Sequence, residues 1–435
     1  MKAIRTLPAV SPSALWQSPW PLLWLAVTYC TLSTRDVEVG PVPDKFLVTV
    51  LALLVWRRHR RSELLPWRRP LLAFGLGFPA LGLLVAVGRD LLGDETQQLG
   101  LRAAAEEASR FVYLLLAIPL MDWARTRRRP RAACAIWLWP VAALAAITWA
   151  LYVMHLAGIG FDGSGRVGPF QGDIAQDPLT GTFRAFMVTD VLLIPAVVLL
   201  FARMHDDPRR AADVWLGILV VGAVFLSHTR GIWLGVVMGC AIAMVLRLLL
   251  GRPHVRIAVP FAAFGLMLVI VALAVPTTAR PVVDAFTGGA GEESSSLRLA
   301  QAPQLLDGFG ANPVIGSGMG GVLASGYRRS ESTPWSFELT YLQLLFQGGI
   351  VGFCLLAWLP VAVLRDTVRR TLAGVSEEVA VSLVAGIGTL VGLLIAYAGN
   401  PYLTTSAGGL ALAIALMGCS AGLVPRATGE QSPNP

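Results

Sequence analysis

Charged residues are scarce in this sequence. They make up 14% of the 435 residues, whereas 55% are hydrophobic, and the mean hydropathy is +0.64. A single soluble core cannot bury so much apolar surface, which excludes an ordinary globular enzyme and indicates a chain that has lipid as its solvent. The long apolar runs lack the polar–apolar alternation of barrel strands, so the membrane spans are predicted to be helices.

Cysteine and histidine are also rare, with five residues of each. All five cysteines lie inside predicted spans and far from metal-ligand spacing, which indicates free, buried thiols. We therefore predict no metal site and no cofactor. Histidine is absent after His254, so the rest of the chain offers no imidazole for catalysis.

Apolar stretches between polar breaks predict an all-α fold, a polytopic membrane bundle of about 12 transmembrane helices, each approaching the ~20 residues that a bilayer requires. The predicted spans are Trp20–Ser33, Pro43–Trp56, Pro70–Gly88, Glu107–Trp123, Ala133–Ile159, Phe183–Phe201, Ala212–Ser227, Gly231–Leu250, Ile257–Pro276, Leu339–Leu364, Val379–Ala398 and Ala407–Leu423. Residues 1–276 then hold nine spans, 277–337 form a long, partly helical loop, 338–424 hold three spans, and 425–435 form a tail.

Lysine and arginine concentrate in alternate loops, as in RRHRR (57–61) and RTRRRPR (125–131). Because positively charged loops stay in the cytoplasm, both termini are predicted to be cytoplasmic and the 277–337 loop to face the periplasm of a bacterial inner membrane. The first apolar stretch follows Lys2 and Arg5 without a small-residue cleavage motif, so it is expected to remain as an anchor. The net charge of +8 indicates attraction to anionic lipid, and nucleic-acid binding is not implied.

Three charged residues stand at the predicted outer boundary of the membrane. Arg230 begins a helix in SHTRGIWLG, where a guanidinium beside helix N-terminal amides suits a pyrophosphate, although a lone arginine there commonly only reaches the interface. Arg298 lies in the first turns of a serine-led helix, where the helix dipole disfavours a cation and requires a partner. Glu338 begins the next span, where a carboxylate either serves as a base or only complements the helix dipole.

A glycine-rich turn, Gly316 to Gly321, follows the serine-led helix. Backbone N–H groups in such a turn can approach an anion closely, although most glycine-rich turns only reverse the chain. Tyr341, three residues after Glu338, lies on the first turn of the same predicted span.

These stretches occur in the order TRGIWLG, the Arg298 helix, NPVIGSGMGG and LTYLQLLFQGGIVGF, and RVGPFQGDIAQD precedes them. Together, over about Arg166 to Leu364, they resemble the superfamily of O-antigen ligases and of O-antigen and exopolysaccharide polymerases. The resemblance implies metal-independent, inverting glycosyl transfer at the periplasmic face from an undecaprenyl-diphosphate-linked glycan. It assigns Arg230 and Arg298 to the donor diphosphate.

The sequence departs from the ligase pattern at one position. Ligases resembling this chain have a histidine near the start of the helix after the long loop, whereas the nearest titratable group here is Glu338. We therefore predict a polysaccharide polymerase that acts on a lipid-linked repeat unit, with Glu338 as the catalytic base. Its predicted partners are membrane lipid and a chain-length regulator or other polysaccharide assembly proteins. Possible glycan or acceptor contacts are Arg166, Arg328, Arg329 and Tyr341, with solvated loop charge as the alternative for the three arginines.

Two other functions remain open. A ligase that attaches glycan to lipid A core or to protein would use the same donor. A transporter or flippase of lipid-linked oligosaccharide would also have many helices and intramembrane arginines, but it should show a repeat relating its halves and charges near the bilayer midplane. The sequence shows no such repeat, and the charged residues above cluster on one side, which favours a transferase.

Overall fold

The structure is a computed structural model. It describes residues 20–33, 38–39, 42–59, 67–93, 100–126, 137–157, 166–167, 170–176, 183–204, 211–227, 229–250, 293–323, 336–421 and 423. The predicted span Ile257–Pro276 and both arginines Arg328 and Arg329 lie outside these residues.

Helices dominate the described residues. They are α1 Trp20–Leu32, α2 Asp44–His59, α3 Arg68–Leu91, α4 Gly100–Arg110, α5 Ala117–Thr126, α6 Leu138–Leu156, α7 Leu193–Met204, α8 Ala211–Leu226, α9 Arg230–Leu249, α10 Glu293–Ala311, α11 Thr340–Leu372, α12 Glu377–Ala398 and α13 Ser406–Cys419. A 3₁₀ turn at Phe111–Leu116 joins α4 to α5, and another at Pro401–Thr404 lies between α12 and α13. Short antiparallel strands are β1 Glu38–Val39, β2 Val42–Pro43, β3 Arg166–Val167, β4 Phe170–Gln176 and β5 Phe183–Met187.

The helical membrane bundle predicted from the sequence is confirmed. Within the described residues, five helices are long and apolar enough to cross a bilayer: α3, α6, α9, α11 and the segment Val379–Ala398 of α12. Shorter apolar helices are α1, Ala212–Leu226 of α8, and α13. The count of about 12 spans is not confirmed. None of the four described cysteines forms a disulfide with another of them. Cys30 and Cys419 are buried as predicted, whereas Cys240 is half-buried and Cys354 is exposed.

The predicted span Phe183–Phe201 is wrong in its first part. Residues Phe183–Met187 form β5, which pairs with β4, and a 3₁₀ turn at Val188–Leu192 precedes α7. The carboxylate of Asp190 accepts a hydrogen bond from the Met187 N–H at 2.8 Å, which fixes the turn from strand to helix. A continuous apolar run does not distinguish a buried strand from a helix, which explains the error.

Small residues let α9 and α12 approach each other closely. A Cβ added at Gly235 would lie 2.7 Å from the carbonyl oxygen of Gly392, and one at Gly239 would lie 2.9 Å from that of Gly388. These glycines recur every four residues on each helix, the spacing that lets membrane helices pack backbone to backbone. These paired glycines therefore hold the first turn of α9 against the last turn of α12.

The glycine-rich turn and the residues just before it, from Pro313 onward, hydrogen-bond to the backbone of α11 at a break in that helix. Gly349 has φ 60° and ψ −166°, which interrupts the helix. The N–H groups of Ile350 and Val351 donate to the carbonyls of Pro313 and Val314, while the N–H groups of Ser317 and Gly318 donate to the carbonyls of Phe346 and Gln347. Since unpaired backbone groups are costly in hydrocarbon, the turn stabilises the broken helix by supplying these partners.

Candidate functional site

Arg298 lies on α10, which packs against the first turns of α11. A small apolar cluster of Leu305, Leu323, Phe337 and Phe346 joins the two helices, and the Phe337 and Phe346 rings meet edge to face with centroids 6.2 Å apart. Gly308 allows the close approach, because a Cβ there would lie 2.8 Å from the Phe346 ring. This packing directs the start of α10 toward the start of α11.

Glu338 forms an ion pair with Arg298. The guanidinium Nε of Arg298 lies 2.8 Å from Oε2 of Glu338, whose side chain is 11% exposed, against 28% for Arg298. The arginine that the helix dipole disfavours thus has a carboxylate partner. The pair is partly solvated, so its attraction is weaker than that of a buried pair.

Arg230 joins the same cluster from α9. Its guanidinium lies near enough to that of Arg298 for the two cations to repel each other. Asn400, just after α12, packs against the backbone of Gly231, the residue that follows Arg230. A Cβ added at Gly231 would lie 2.3 Å from the Asn400 amide nitrogen. The hydroxyl of Thr340 donates to the Asn400 carbonyl at 2.7 Å, so one residue links the start of α9 to the start of α11.

The backbone at Glu338 is held from two sides. Its N–H donates to Oε1 of Gln301 at 3.0 Å, and Gln301 lies one turn after Arg298 on α10. The preceding N–H, that of Phe337, donates to Oε1 of Gln343 on α11 at 3.1 Å. Two buried amide side chains therefore set the position of the Glu338 carboxylate relative to Arg298.

Glu107 on α4 is a buried carboxylate close to these amides. It is 1% exposed, and it accepts hydrogen bonds from the Gly320 N–H at 2.7 Å, from Nε2 of Gln343 at 2.8 Å and from Nε2 of Gln347 at 3.0 Å. A carboxylate can only accept hydrogen bonds, and all three of these partners donate. Sequence reasoning used Glu107 only to mark a span boundary and did not identify Asn400 at all.

The amides of the glycine-rich turn are used by the protein. Besides Gly320, whose N–H binds Glu107, the N–H of Met319 donates to the Gly82 carbonyl at 3.1 Å. A Cβ at Gly318 or Gly320 would lie 2.7 Å from the backbone of α3 or α4, respectively. These glycines serve close packing, and the anion-binding alternative has no support from this arrangement.

The remaining predicted contacts are not brought into the cluster by any described interaction. The Tyr341 hydroxyl donates to the Leu394 carbonyl on α12, which ties α11 to α12 and does not favour a contact with glycan. Arg166 lies in β3, but its side chain is not described. Arg328 and Arg329 lie outside the described residues altogether. Within the described part of the chain, no three His, Cys, Asp or Glu side chains are grouped as a metal ion requires.

The comparison with known proteins bears on this cluster directly. Residues 215–357 match a family model described as O-antigen ligase. This match supports the resemblance of the chain to the O-antigen ligase and polymerase superfamily. The matched segment, about a third of the chain, contains Arg230, Arg298 and Glu338, whereas Glu107 and Asn400 lie outside it. A search of curated proteins finds no match.

The match indicates the general activity. Ligases and polymerases of this superfamily are glycosyltransferase-type membrane enzymes, and their substrates are lipid-linked glycans. The O-antigen ligase domain begins in α8 and ends in α11, so it includes the α9 start, the whole of α10 and the glycine-rich turn. The cluster of two arginines and one carboxylate is therefore the candidate active site.

Proposed function

We propose that the protein is a polysaccharide polymerase of the bacterial inner membrane. It transfers a growing glycan from undecaprenyl diphosphate onto the nonreducing end of a lipid-linked repeat unit at the periplasmic face, without a metal and with inversion. The observation that carries the proposal is the convergence of Arg230 from α9, Arg298 from α10 and Glu338 from the segment just before α11.

The two arginines suit the donor diphosphate. Guanidinium groups bind phosphate oxygens through paired, charge-assisted hydrogen bonds, and two adjacent cations that repel each other gain most from an anion between them. The N-terminus of α9, beside Arg230, favours negative charge through the helix dipole. Neutralising the charge that develops on the leaving diphosphate lowers the barrier to transfer.

Glu338 suits the acceptor side of the reaction. Its carboxylate takes the proton of an acceptor hydroxyl while that oxygen attacks the anomeric carbon on the face opposite the diphosphate. The bond between the anomeric carbon and the diphosphate oxygen breaks, and undecaprenyl diphosphate leaves. A diphosphate carries more charge than a carboxylate, so an incoming donor displaces Glu338 from Arg298 and frees it for the acceptor.

A ligase that transfers glycan to lipid A core or to protein is the second candidate. The matching family model is itself described as O-antigen ligase, which favours this activity. The absence of any histidine after His254 favours the polymerase, because the ligases resembling this chain are expected to use a histidine where Glu338 stands. The two candidates share the donor site and differ in the acceptor.

The test is reconstitution of the purified protein in vesicles with a lipid-linked repeat unit, followed by separation of the products by length. We expect a ladder from the wild type. Removing one donor to a developing oxyanion typically costs about 10²–10³ in rate, so Arg230→Ala and Arg298→Ala should each lower ladder formation by about that factor. Glu338→Gln, which keeps the shape and removes the base, should abolish it.

Arg365→Ala is the matched control. Arg365 is exposed near the other end of α11, far along the helix from Glu338, so its loss should leave the ladder intact. A ladder that survives all three site variants would refute the proposed site. Product formation only with lipid A core or protein as acceptor would replace the polymerase with the ligase.

A further inference from the structure

A chain of hydrogen bonds runs from Glu107 to the backbone beside Glu338. Oε1 of Glu107 accepts from Nε2 of Gln343 at 2.8 Å, and Oε1 of the same Gln343 accepts from the Phe337 N–H at 3.1 Å. Phe337 directly precedes Glu338. The chain thus passes through one side-chain amide from α4 to the first residue before the candidate base.

The direction of these bonds is fixed by Glu107. An ionised carboxylate accepts only, so the amide of Gln343 must turn its NH₂ toward Glu107 and its oxygen toward Phe337. The other oxygen of Glu107 accepts from the Gly320 N–H at 2.7 Å and from Gln347 at 3.0 Å, which fixes the carboxylate itself. Reversing the Gln343 amide would set its NH₂ against the Phe337 N–H, two donors without an acceptor.

The segment before α11 is short, and the buried Phe337 ring anchors it in the apolar cluster with Leu305, Leu323 and Phe346. Residues 336–339 precede α11 without regular structure, and the N–H groups of Phe337 and Glu338 donate only to side-chain amides among the interactions described, those of Gln343 and Gln301. The position of the Glu338 carboxylate therefore depends on the orientation of two amides. Glu107 sets the orientation of one of them.

We propose that Glu107 is a positioning residue for transfer, acting through Gln343 to hold Glu338 where it can reach the acceptor hydroxyl. This inference rests on the proposed function. Glu107 does not touch Arg230, Arg298 or the reacting atoms in any described contact, and it lies outside the residues that match the family model. Its effect falls on the rate of the chemical step and leaves the diphosphate site unchanged.

A charge swap between Glu107 and Gln343 tests the proposal. Glu107→Gln places an NH₂ against Gln343, so either two donors meet or the Gln343 amide reverses and Phe337 loses its acceptor. Gln343→Glu sets two carboxylates against each other. In the double variant, the NH₂ of the new glutamine at 107 donates to the new carboxylate at 343, which still accepts from Phe337, while the bonds from Gly320 and Gln347 to position 107 remain. The 3.3 Å bond from Gln343 to Oε1 of Gln347 is lost, so the recovery should be large but incomplete.

The readouts are turnover at saturating donor, the donor KM, and the dissociation constant of undecaprenyl diphosphate for each purified variant. A misplacement of about 1 Å can cost about 10² in rate, so each single variant should lose up to about that factor in turnover. The dissociation constant should change less than about twofold, which corresponds to ~0.4 kcal/mol, because neither substitution alters Arg230 or Arg298. The double variant should recover most of the lost turnover.

Thr371→Val is the matched structural control. Thr371 is buried at the other end of α11, where its hydroxyl donates to the Thr367 carbonyl at 2.8 Å, and it contacts neither Glu107 nor Gln343 in any described interaction. It should lower thermal stability in detergent while leaving turnover per folded molecule near the wild-type value. This variant separates loss of a buried hydrogen bond from loss of positioning.

Each outcome decides the matter. Recovery of turnover in the double variant, with Glu338→Gln inactive, supports the proposal even if a single variant fails to fold. A double variant that folds but remains as slow as the single variants overturns it, as does wild-type turnover in Glu107→Gln. If Glu338→Gln itself retains full turnover, the proposed function fails instead, which is a distinct result.

Discussion

The ion pair between Arg298 and Glu338 joins two groups that the proposed reaction needs separately. Arg298 must face the diphosphate, and Glu338 must face the acceptor hydroxyl, yet their charged atoms lie 2.8 Å apart. In the absence of donor, each neutralises the other. In the proposed reaction, the carboxylate therefore competes with the diphosphate for the same cation, and transfer begins only after the donor has separated the pair.

This competition gives a prediction for donor binding. Glu338→Gln removes the competing charge, so undecaprenyl diphosphate should bind more tightly even though transfer is lost. A partly exposed ion pair contributes about 0.5–1 kcal/mol, which corresponds to an affinity gain of about two- to fivefold. The dissociation constant, measured with the purified variant in detergent, checks this expectation.

Asp307→Asn is the control for that measurement. Asp307 is exposed on α10, the helix that carries Arg298, and nine residues along the chain from it. Its loss changes the net charge equally but breaks no described contact with Arg298. Equal affinities for the two variants, or weaker binding by Glu338→Gln, would show that the carboxylate does not compete with the donor.

At the scale of secondary-structure elements, the site depends on the break in α11. The first half of this helix begins beside Glu338 and carries Gln343 and Gln347, while the glycine-rich turn enters at Gly349. A continuous helix would leave the turn without its four backbone hydrogen bonds and would move the Gly320 N–H away from Glu107. The break is therefore part of the site's construction.

Gly349→Ala should disrupt this arrangement. A Cβ there would lie 2.4 Å from the carbonyl carbon of Val314, and the backbone conformation is one that only glycine readily adopts. Strain of this kind costs about 1–3 kcal/mol, and the steric overlap adds to it. We expect a lower apparent Tm in detergent and loss of ladder formation, measured on the same preparation.

Gly374→Ala separates strain from overlap. Gly374 also has a positive φ, 86°, but nothing lies within 4 Å of a Cβ added there. It ends α11 at the far side from Glu338, so its substitution should cost about 1–2 kcal/mol of backbone strain and leave transfer intact. A Gly349→Ala variant as stable as Gly374→Ala would contradict the structural role of the break.

The sequence predicted the elements unevenly, for physical reasons. The helix carrying Arg298 and the starts of α9 and α11 were predicted because charge boundaries and apolar length are local signals. The expected serine cap was wrong, since α10 begins at Glu293 and includes Ser294 to Ser296. The strand at Phe183–Met187 was missed because hydropathy alone does not reveal pairing with β4. At Gly349 the sequence predicted only close helix packing. The break was missed because its backbone hydrogen-bond partners lie about 30 residues earlier in the chain.

At the scale of the whole molecule, the candidate site is assembled from segments far apart in sequence. The order of the motifs between about Arg166 and Leu364 predicted Arg230, Arg298 and Glu338, and the structure brings these residues together. Glu107 and Asn400 could not be predicted, because each matters through hydrogen bonds or contacts with residues at least 60 positions away. The packing of α4 and α12 onto the segment that matches the family model brings Glu107 and Asn400 to the site, and neither residue belongs to the sequence motifs.

The charge distribution along α11 predicts which side of the membrane this site faces. α11 begins beside Glu338 and ends with Arg369 and Arg370, whereas α9 has one arginine at each end and indicates neither side. α11 is long and apolar enough to cross a bilayer. Since positive helix ends stay in the cytoplasm, the site should face the periplasm.

Single-cysteine labelling tests this orientation, in a background where the five native cysteines are replaced. Asp307→Cys, exposed on α10 near the site, should react with a membrane-impermeant maleimide in intact spheroplasts. Arg369→Cys, exposed at the other end of α11, should react only after the membrane is permeabilised. The reverse pattern would place the site in the cytoplasm, where a donor already moved to the periplasmic leaflet could not reach Arg230 and Arg298, and the proposed reaction would have to be abandoned.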